Sequence, residues 1–267
     1  MRARFGVGAG QVVCMAGGMP SRGRIVAGAV AGRVAAVVVC AVLLAPVLAW
    51  GQASTWVRPP TAEDERRAAE WVRFSAENGE PWAQYMLGTM LEFGRAMPAD
   101  ASAAFQWYLK AAEAGEVAAQ FRCGALLHQG LGTARDDARA AEWLQKAADA
   151  GNADAQGLLG TLFAFGQGVK ADEAEAVKWW TRAAEADQPD AGFNLATALA
   201  NGRGAAADPK AAAHWYVKSA WAFVAAGRKD DARRALEALI GLDPTHAEIP
   251  TLSDAVAAVP LPDEGSP

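Results

Sequence analysis

Apolar positions recur along this chain with a helical spacing and, on a longer scale, with a fixed step. Ala83, Leu87, Met90 and Leu91 fall on one helical face, and the same stripe returns as Ala119, Cys123, Leu126, Leu127 and as Ala155, Leu159, Leu162, Phe163. A second stripe runs through Ala104, Trp107, Ala111 and Ala112, with the i, i+3, i+4 recurrence of an amphipathic helix. Trp71, Trp107, Trp143, Trp179 and Trp215 follow one another at intervals of 36 residues. Ala68, Ala104, Ala140, Ala176, Ala212 and Gly94, Gly130, Gly166, Gly202 keep the same step, as do Gly88, Gly124 and Gly160. Chance does not align so many columns without an insertion, so the chain reads as a tandem array.

Each unit predicts two helices and a turn. Asp100, Asp136, Asp172 and Asp208 stand where the second helix begins, as N-caps, with Glu175 three residues after Asp172 and Pro209 at a first helical position. Gly115 and Gly151 stand where it stops. Lys110, Lys146, Arg182 and Lys218 lie towards its C-terminal end, where cations suit the helix dipole. A glycine inside a helix costs about 0.5–1 kcal/mol relative to alanine, so its recurrence at 88, 124 and 160 predicts a neighbouring helix backbone too close for any side chain. The segment from Gly94 to Ala99 joins the two helices.

The third unit spells the pattern most fully, at Ala155, Leu159, Gly160, Leu162, Gly166, Gly168, Val169, Asp172, Ala176, Trp179, Ala183, Ala184 and Glu185. This order resembles the Sel-one-like repeat family, a branch of the tetratricopeptide-like α-solenoids. The resemblance implies an all-α fold, a right-handed superhelical α/α solenoid of helix-turn-helix repeats with a half unit and four whole units over residues 61–220. Ala196 and Asp187 depart from the glycines of their columns. Phe223, Gly227, Ala232, Leu236, Leu239 and Asp243-Pro244 resemble a tetratricopeptide unit over 221–247, whose charges suit a water-facing cap. Residues 248–267 are expected to form a helix remnant and a disordered tail, VPLPDEGSP.

Residues 1–53 read as a signal peptide or N-terminal anchor. Val34–Ala49 carries no charge, follows Arg22, Arg24 and Arg33, and precedes small residues that place cleavage after Ala53. A run of this length is short against the roughly 20 residues of a bilayer span, so export to the periplasm is expected, with anchoring to the inner membrane by residues 34–49 as the alternative. Cys123 is then the only cysteine left; no internal disulfide forms, and a small buried hydrophobe is expected there. The formal charge of -5 hides an asymmetry. The leader holds five arginines and no acid, leaving 20 basic against 30 acidic residues, or -10, for the rest. Such a body disfavours nucleic acid and anionic membranes, so membrane contact is expected only through an uncleaved leader.

Catalytic sets are missing from the sequence. The three histidines, His128, His214 and His246, have no metal-ligand spacing and read as surface residues. The GxG turns follow helices instead of strands, so no phosphate loop or cofactor motif is expected. The tryptophan column is expected to be core, each indole burying about 150–250 Å², with Gly88, Gly124 and Gly160 beside it. If the first helices line the concave side, as tetratricopeptide arrays imply, then Tyr85, Glu92, Phe93, Phe121, His128, Phe165 and Phe193 are the partner-binding candidates. The expected function is a non-catalytic protein–protein interaction scaffold of the cell envelope, holding a protein or peptide. The alternative is a cell-envelope enzyme or a peptidoglycan-binding protein. Some relatives with paired cysteines in every unit are linked to penicillin binding, and those pairs are absent here.

Overall fold

The computed structural model describes residues 61–260, so the expected leader and the end of the tail lie outside the described residues. Among the described residues there are eleven helices and no strand. The half unit is α1 (Ala62–Glu77). Four pairs follow: α2 (Pro81–Phe93) with α3 (Ala101–Glu113), α4 (Val117–Gln129) with α5 (Asp137–Asp149), α6 (Ala153–Phe165) with α7 (Glu173–Glu185), and α8 (Pro189–Asn201) with α9 (Pro209–Ala225). The chain closes with α10 (Lys229–Leu242) and α11 (Ile249–Ala258). Helices α2 to α8 are all 13 residues long, and each helix packs on the next, as stacked repeats must.

Local chemistry sets these boundaries. Asp100, Asp136, Asp172 and Asp208 each accept a hydrogen bond from the backbone N–H three residues on, at 2.9, 3.0, 2.9 and 3.0 Å, which satisfies one of the free donors of a helix start. Glu175 does not return to its cap; it pairs with Lys178 at 2.7 Å instead. The reciprocal capping box occurs on α1, between Thr61 and Asp64.

The glycine inside each first helix is explained by a side chain more than by a backbone, which corrects the expectation. An alanine Cβ at Gly88 would lie 2.7 Å from the Tyr108 ring, at Gly124 2.6 Å from Leu144 Cγ, and at Gly160 2.7 Å from Trp180 Cδ1. The backbone comes second, with the Ala140 carbonyl oxygen 3.1 Å from a Cβ at 124 and that of Ala176 3.2 Å from one at 160. The large residue one place after each tryptophan is therefore the one seated in its own unit's first helix, and Tyr108, Leu144, Trp180 and Tyr216 are all buried. Polar tips find acceptors, as burial demands. Tyr108 Oη donates to Glu92 at 2.6 Å and lies 3.1 Å from Thr89 Oγ1, the Tyr216 hydroxyl lies 3.1 Å from Thr197 Oγ1, and Trp180 Nε1 donates to the Gly157 carbonyl at 3.2 Å. Where the seated residue is Leu144, the threonine column holds Ala125.

A second glycine column locks one unit to the one before it. Gly132, Gly168 and Gly204 have φ near +70° (69°, 70° and 73°), and a Cβ on them would lie 2.1, 2.0 and 2.1 Å from the carbonyl oxygens of Ala101, Asp137 and Glu173. Each loop thus rests on the start of the preceding unit's second helix. The first unit has Ala96 in this column, at φ 58°.

Of the tryptophan column, only Trp179 is buried, with 5% exposure; Trp71, Trp107, Trp143 and Trp215 are half-buried. Each of the last four carries the cation three residues later on its ring face: Lys110 at 3.9 Å, Lys146 at 4.0 Å, Arg182 at 4.6 Å and Lys218 at 4.9 Å. Those cations cover indoles wedged at the repeat joints. In α1 the same position is Phe74, which is exposed. At the far end α9 runs unbroken through residue 220, so the last repeat shares a helix with the terminal unit, and Phe223, Ala232, Leu236, Leu239 and Leu252 close the core.

Candidate partner-binding face

Helices α4 and α6, and α6 and α8, touch each other, whereas the second helices of successive units make no comparable contact. The first helices of the second to fourth units thus approach one another more closely than the second helices do, and form one face of the stack. Its residues divide into two groups. Tyr85 packs on Tyr108 with ring centroids 5.6 Å apart, Phe193 on Tyr216 at 5.5 Å, and Phe121 packs on the core built by α5, α6 and Trp179. These three serve mainly as packing. Phe93 and Phe165, at 53% and 67% exposure, stay open to solvent, and Leu131, which the sequence pattern did not single out, joins them at 52%. Each of the first three units thus exposes one apolar side chain where its first helix ends: Phe93 and Phe165 are the last helical residues, and Leu131 stands two residues beyond its helix.

Charges here are matched in pairs. Glu92 accepts from Tyr108 and lies 3.6 Å from Arg122, whose guanidinium stands 5.7 Å from the Phe93 ring. His128, a partner-binding candidate from the sequence, is half-buried, with Nδ1 2.7 Å from Asp137. Arg135 binds the same carboxylate at 2.8 Å. The Arg135 hydrogen bond, assisted by that of His128, holds the Asp137 carboxyl below the usual range. His214 is exposed against Trp215, and His246 Nδ1 accepts the Glu248 N–H.

At the joint of the third and fourth units lies a cavity of about 110 Å³ walled by Ala164, Phe165, Trp180, Asn194, Thr197 and Ala198. Glu173 and Arg203 form an ion pair on its rim, Arg203 Nε donating to Glu173 Oε1 at 2.9 Å. Of its wall, only Phe165 was a sequence candidate. The missed signal was a comparison down the columns: Ala164 stands where earlier units have Glu92 and His128, Asn194 where they have Arg122 and Leu158, and Ala198 where they have Leu126 and Leu162.

Nothing in this arrangement resembles an activated nucleophile. Cys123 is fully buried, and burial pushes its thiol up to about 12, so it is not a thiolate at neutral pH. Burial, then the Glu92 hydrogen bond, pushes the Tyr108 hydroxyl further above its ordinary value. Among the described residues no three His, Cys, Asp or Glu side chains gather as metal ligands, and no helix is long and apolar enough to cross a membrane.

The Sel1 repeat profile matches residues 57–80, 83–116, 117–152, 153–188 and 189–220, more than half of the chain. A Sel1 repeat protein from Oxalobacter formigenes is similar in structure, with a TM-score of 0.64 and 28% identity over 76% of this chain and 79% of that one. The c5321 protein, a protective antigen of uropathogenic Escherichia coli with an SLR fold, gives a TM-score of 0.56 and 26% identity over 71% of this chain. The match spans 48% of that longer antigen. No protein of the curated set matches significantly.

Proposed function

The chain belongs to the Sel1 repeat family, and from that premise we propose that it is a non-catalytic scaffold of the cell envelope whose inner, first-helix face holds a protein or peptide partner. The observation that carries the reading is the edge formed by Phe93, Leu131 and Phe165, three large apolar side chains left more than half exposed on successive units. Scattered surface hydrophobics need no explanation, but a row rimmed by ion pairs marks an interaction surface. An array in which each unit contacts only its neighbours extends such a surface by one position per repeat. The envelope setting is supported by the leader composition of residues 1–53.

Replacing Phe93, Leu131 and Phe165 together by serine tests the reading. The triple variant should keep the wild-type melting profile, since exposed substitutions change stability by about 0.5 kcal/mol or less each. It should lose at least tenfold in the partner recovered by chemical crosslinking in the native host. Undiminished recovery contradicts the proposal.

A further inference from the structure

The repeats are internal controls for one another, and at one joint they differ in a way that packing alone does not require. At the first two joints the inner positions are filled, by Glu92, Arg122 and Leu126 and then by His128, Leu158 and Leu162. Leu126 and Leu162 are buried, and Glu92 and Arg122 close on each other at 3.6 Å. At the third joint the same three columns hold Ala164, Asn194 and Ala198, and a cavity of about 110 Å³ remains. A joint left open in this way forgoes the contacts that larger side chains would make, and the same columns at the two other joints show that this chain has side chains of that size to place there.

The geometry points to a binding pocket here for one neutral apolar side chain of a partner peptide, in a segment that also carries lysine or arginine. The floor and walls, Ala164, Trp180, Thr197 and Ala198, hold no charge, and the rim charges Glu173 and Arg203 already satisfy each other. A charged side chain would therefore enter without a counter-ion and lose its hydration. Half-buried Asn194 brings an amide donor and an acceptor to the wall, the pair that the N–H and C=O of an extended backbone require. Outside the pocket, residues 54–267 carry 30 acids against 20 bases. That excess repels an acidic segment and steers a basic one. The exposed Phe165 ring continues the wall towards Leu131 and Phe93, so the pocket anchors one end of the apolar edge. This inference rests on the inner-face reading proposed above and adds the anchor's position and chemistry.

Random peptides displayed on phage, selected against the purified protein, test the assignment. Two variants fill the pocket with residues the chain itself uses in those columns: Ala198→Leu, as at 162 and 126, and Asn194→Leu, as at 158. Either can serve if the other melts early. The expected result is a set of peptides sharing one aliphatic or aromatic position beside Lys or Arg, binding the pocket-filled variant at least tenfold more weakly than wild type. Peptides that bind both equally but lose binding to the Phe93, Leu131 and Phe165 serine variant overturn the pocket and leave the inner-face reading standing. Selected peptides rich in Asp and Glu overturn the pocket's chemistry. Failure to select any peptide sensitive to either set of substitutions overturns both.

Discussion

Substituting Gly160 by alanine sets two effects of known sign against each other. Alanine is favoured over glycine inside a helix by about 1 kcal/mol. Against this, the new Cβ would lie 2.7 Å from Trp180 Cδ1 and 3.2 Å from the Ala176 carbonyl oxygen. The indole cannot withdraw freely, because its N–H donates to the Gly157 carbonyl and the ring is buried. Overpacking of this kind costs about 1–3 kcal/mol, and losing the indole hydrogen bond adds about 1 kcal/mol. The contact wins, so Gly160→Ala should destabilise the protein by about 1–3 kcal/mol net, the propensity gain deducted. Urea unfolding followed by circular dichroism measures it. The sign is the informative part: with Trp180→Ala the closer obstacle is gone and only the Ala176 carbonyl contact at 3.2 Å is left, so adding Gly160→Ala should then stabilise by up to about 1 kcal/mol. A stabilising Gly160→Ala in the wild-type background, or the same sign in both, refutes the seating of the large residue on the glycine.

Other expectations follow from single features. Ala96 adopts φ 58° where its column has glycine, a conformation costing an alanine about 1–2 kcal/mol; after glycine's greater unfolded-state freedom, Ala96→Gly should raise stability by up to about 1 kcal/mol in the same melt. Gly168→Ala in that column, with its Cβ 2.0 Å from the Asp137 carbonyl oxygen, should destabilise instead. Trp179 Nε1 is buried without an acceptor, and an unsatisfied donor costs about 1–3 kcal/mol. Trp179→Phe should therefore be better tolerated than Trp180→Phe, which gives up the indole hydrogen bond to the Gly157 carbonyl; the reverse order in melts counts against these contacts. Asp137 is held below the usual carboxylate range, so its contribution is present above the unfolded value near pH 4 and lost as pH falls through the folded value. Asp137→Asn should flatten the acid limb of a melting-temperature profile below about pH 4, and an unchanged limb contradicts the Arg135 and His128 contacts.

What was legible in the sequence was whatever depends on local spacing. The aspartate caps act within three residues of themselves, and the Pro209 start needs no tertiary partner, so both could be read directly. Glu175 shows where local reading stops: the position suits a capping box, but Lys178 one turn on competes for the carboxylate. The tryptophans read as core because they recur beside alanines, yet most are half-buried, since a wedge at a joint keeps one edge outside. Their cations are visible at i+3, where the spacing alone suits the helix dipole equally well and does not reveal the ring contact. The true seated column, Tyr108, Leu144, Trp180 and Tyr216, varies in type and so left no repeating letter. The cavity was hidden for the opposite reason. It is made by small residues, and only a comparison of three columns across units exposes it.

Site-specific photo-crosslinking in the native host tests the central claim, that the inner face is the partner surface. A photoreactive residue is placed in turn at the inner-face positions Phe93, Leu131 and Phe165 and, on the second helices, at Gln106, Glu142 and Lys178, all six exposed in the structure. The account predicts crosslinked partner from the first three positions and none above background from the last three. Equal yields from both sets, or adducts confined to the second helices, would contradict it.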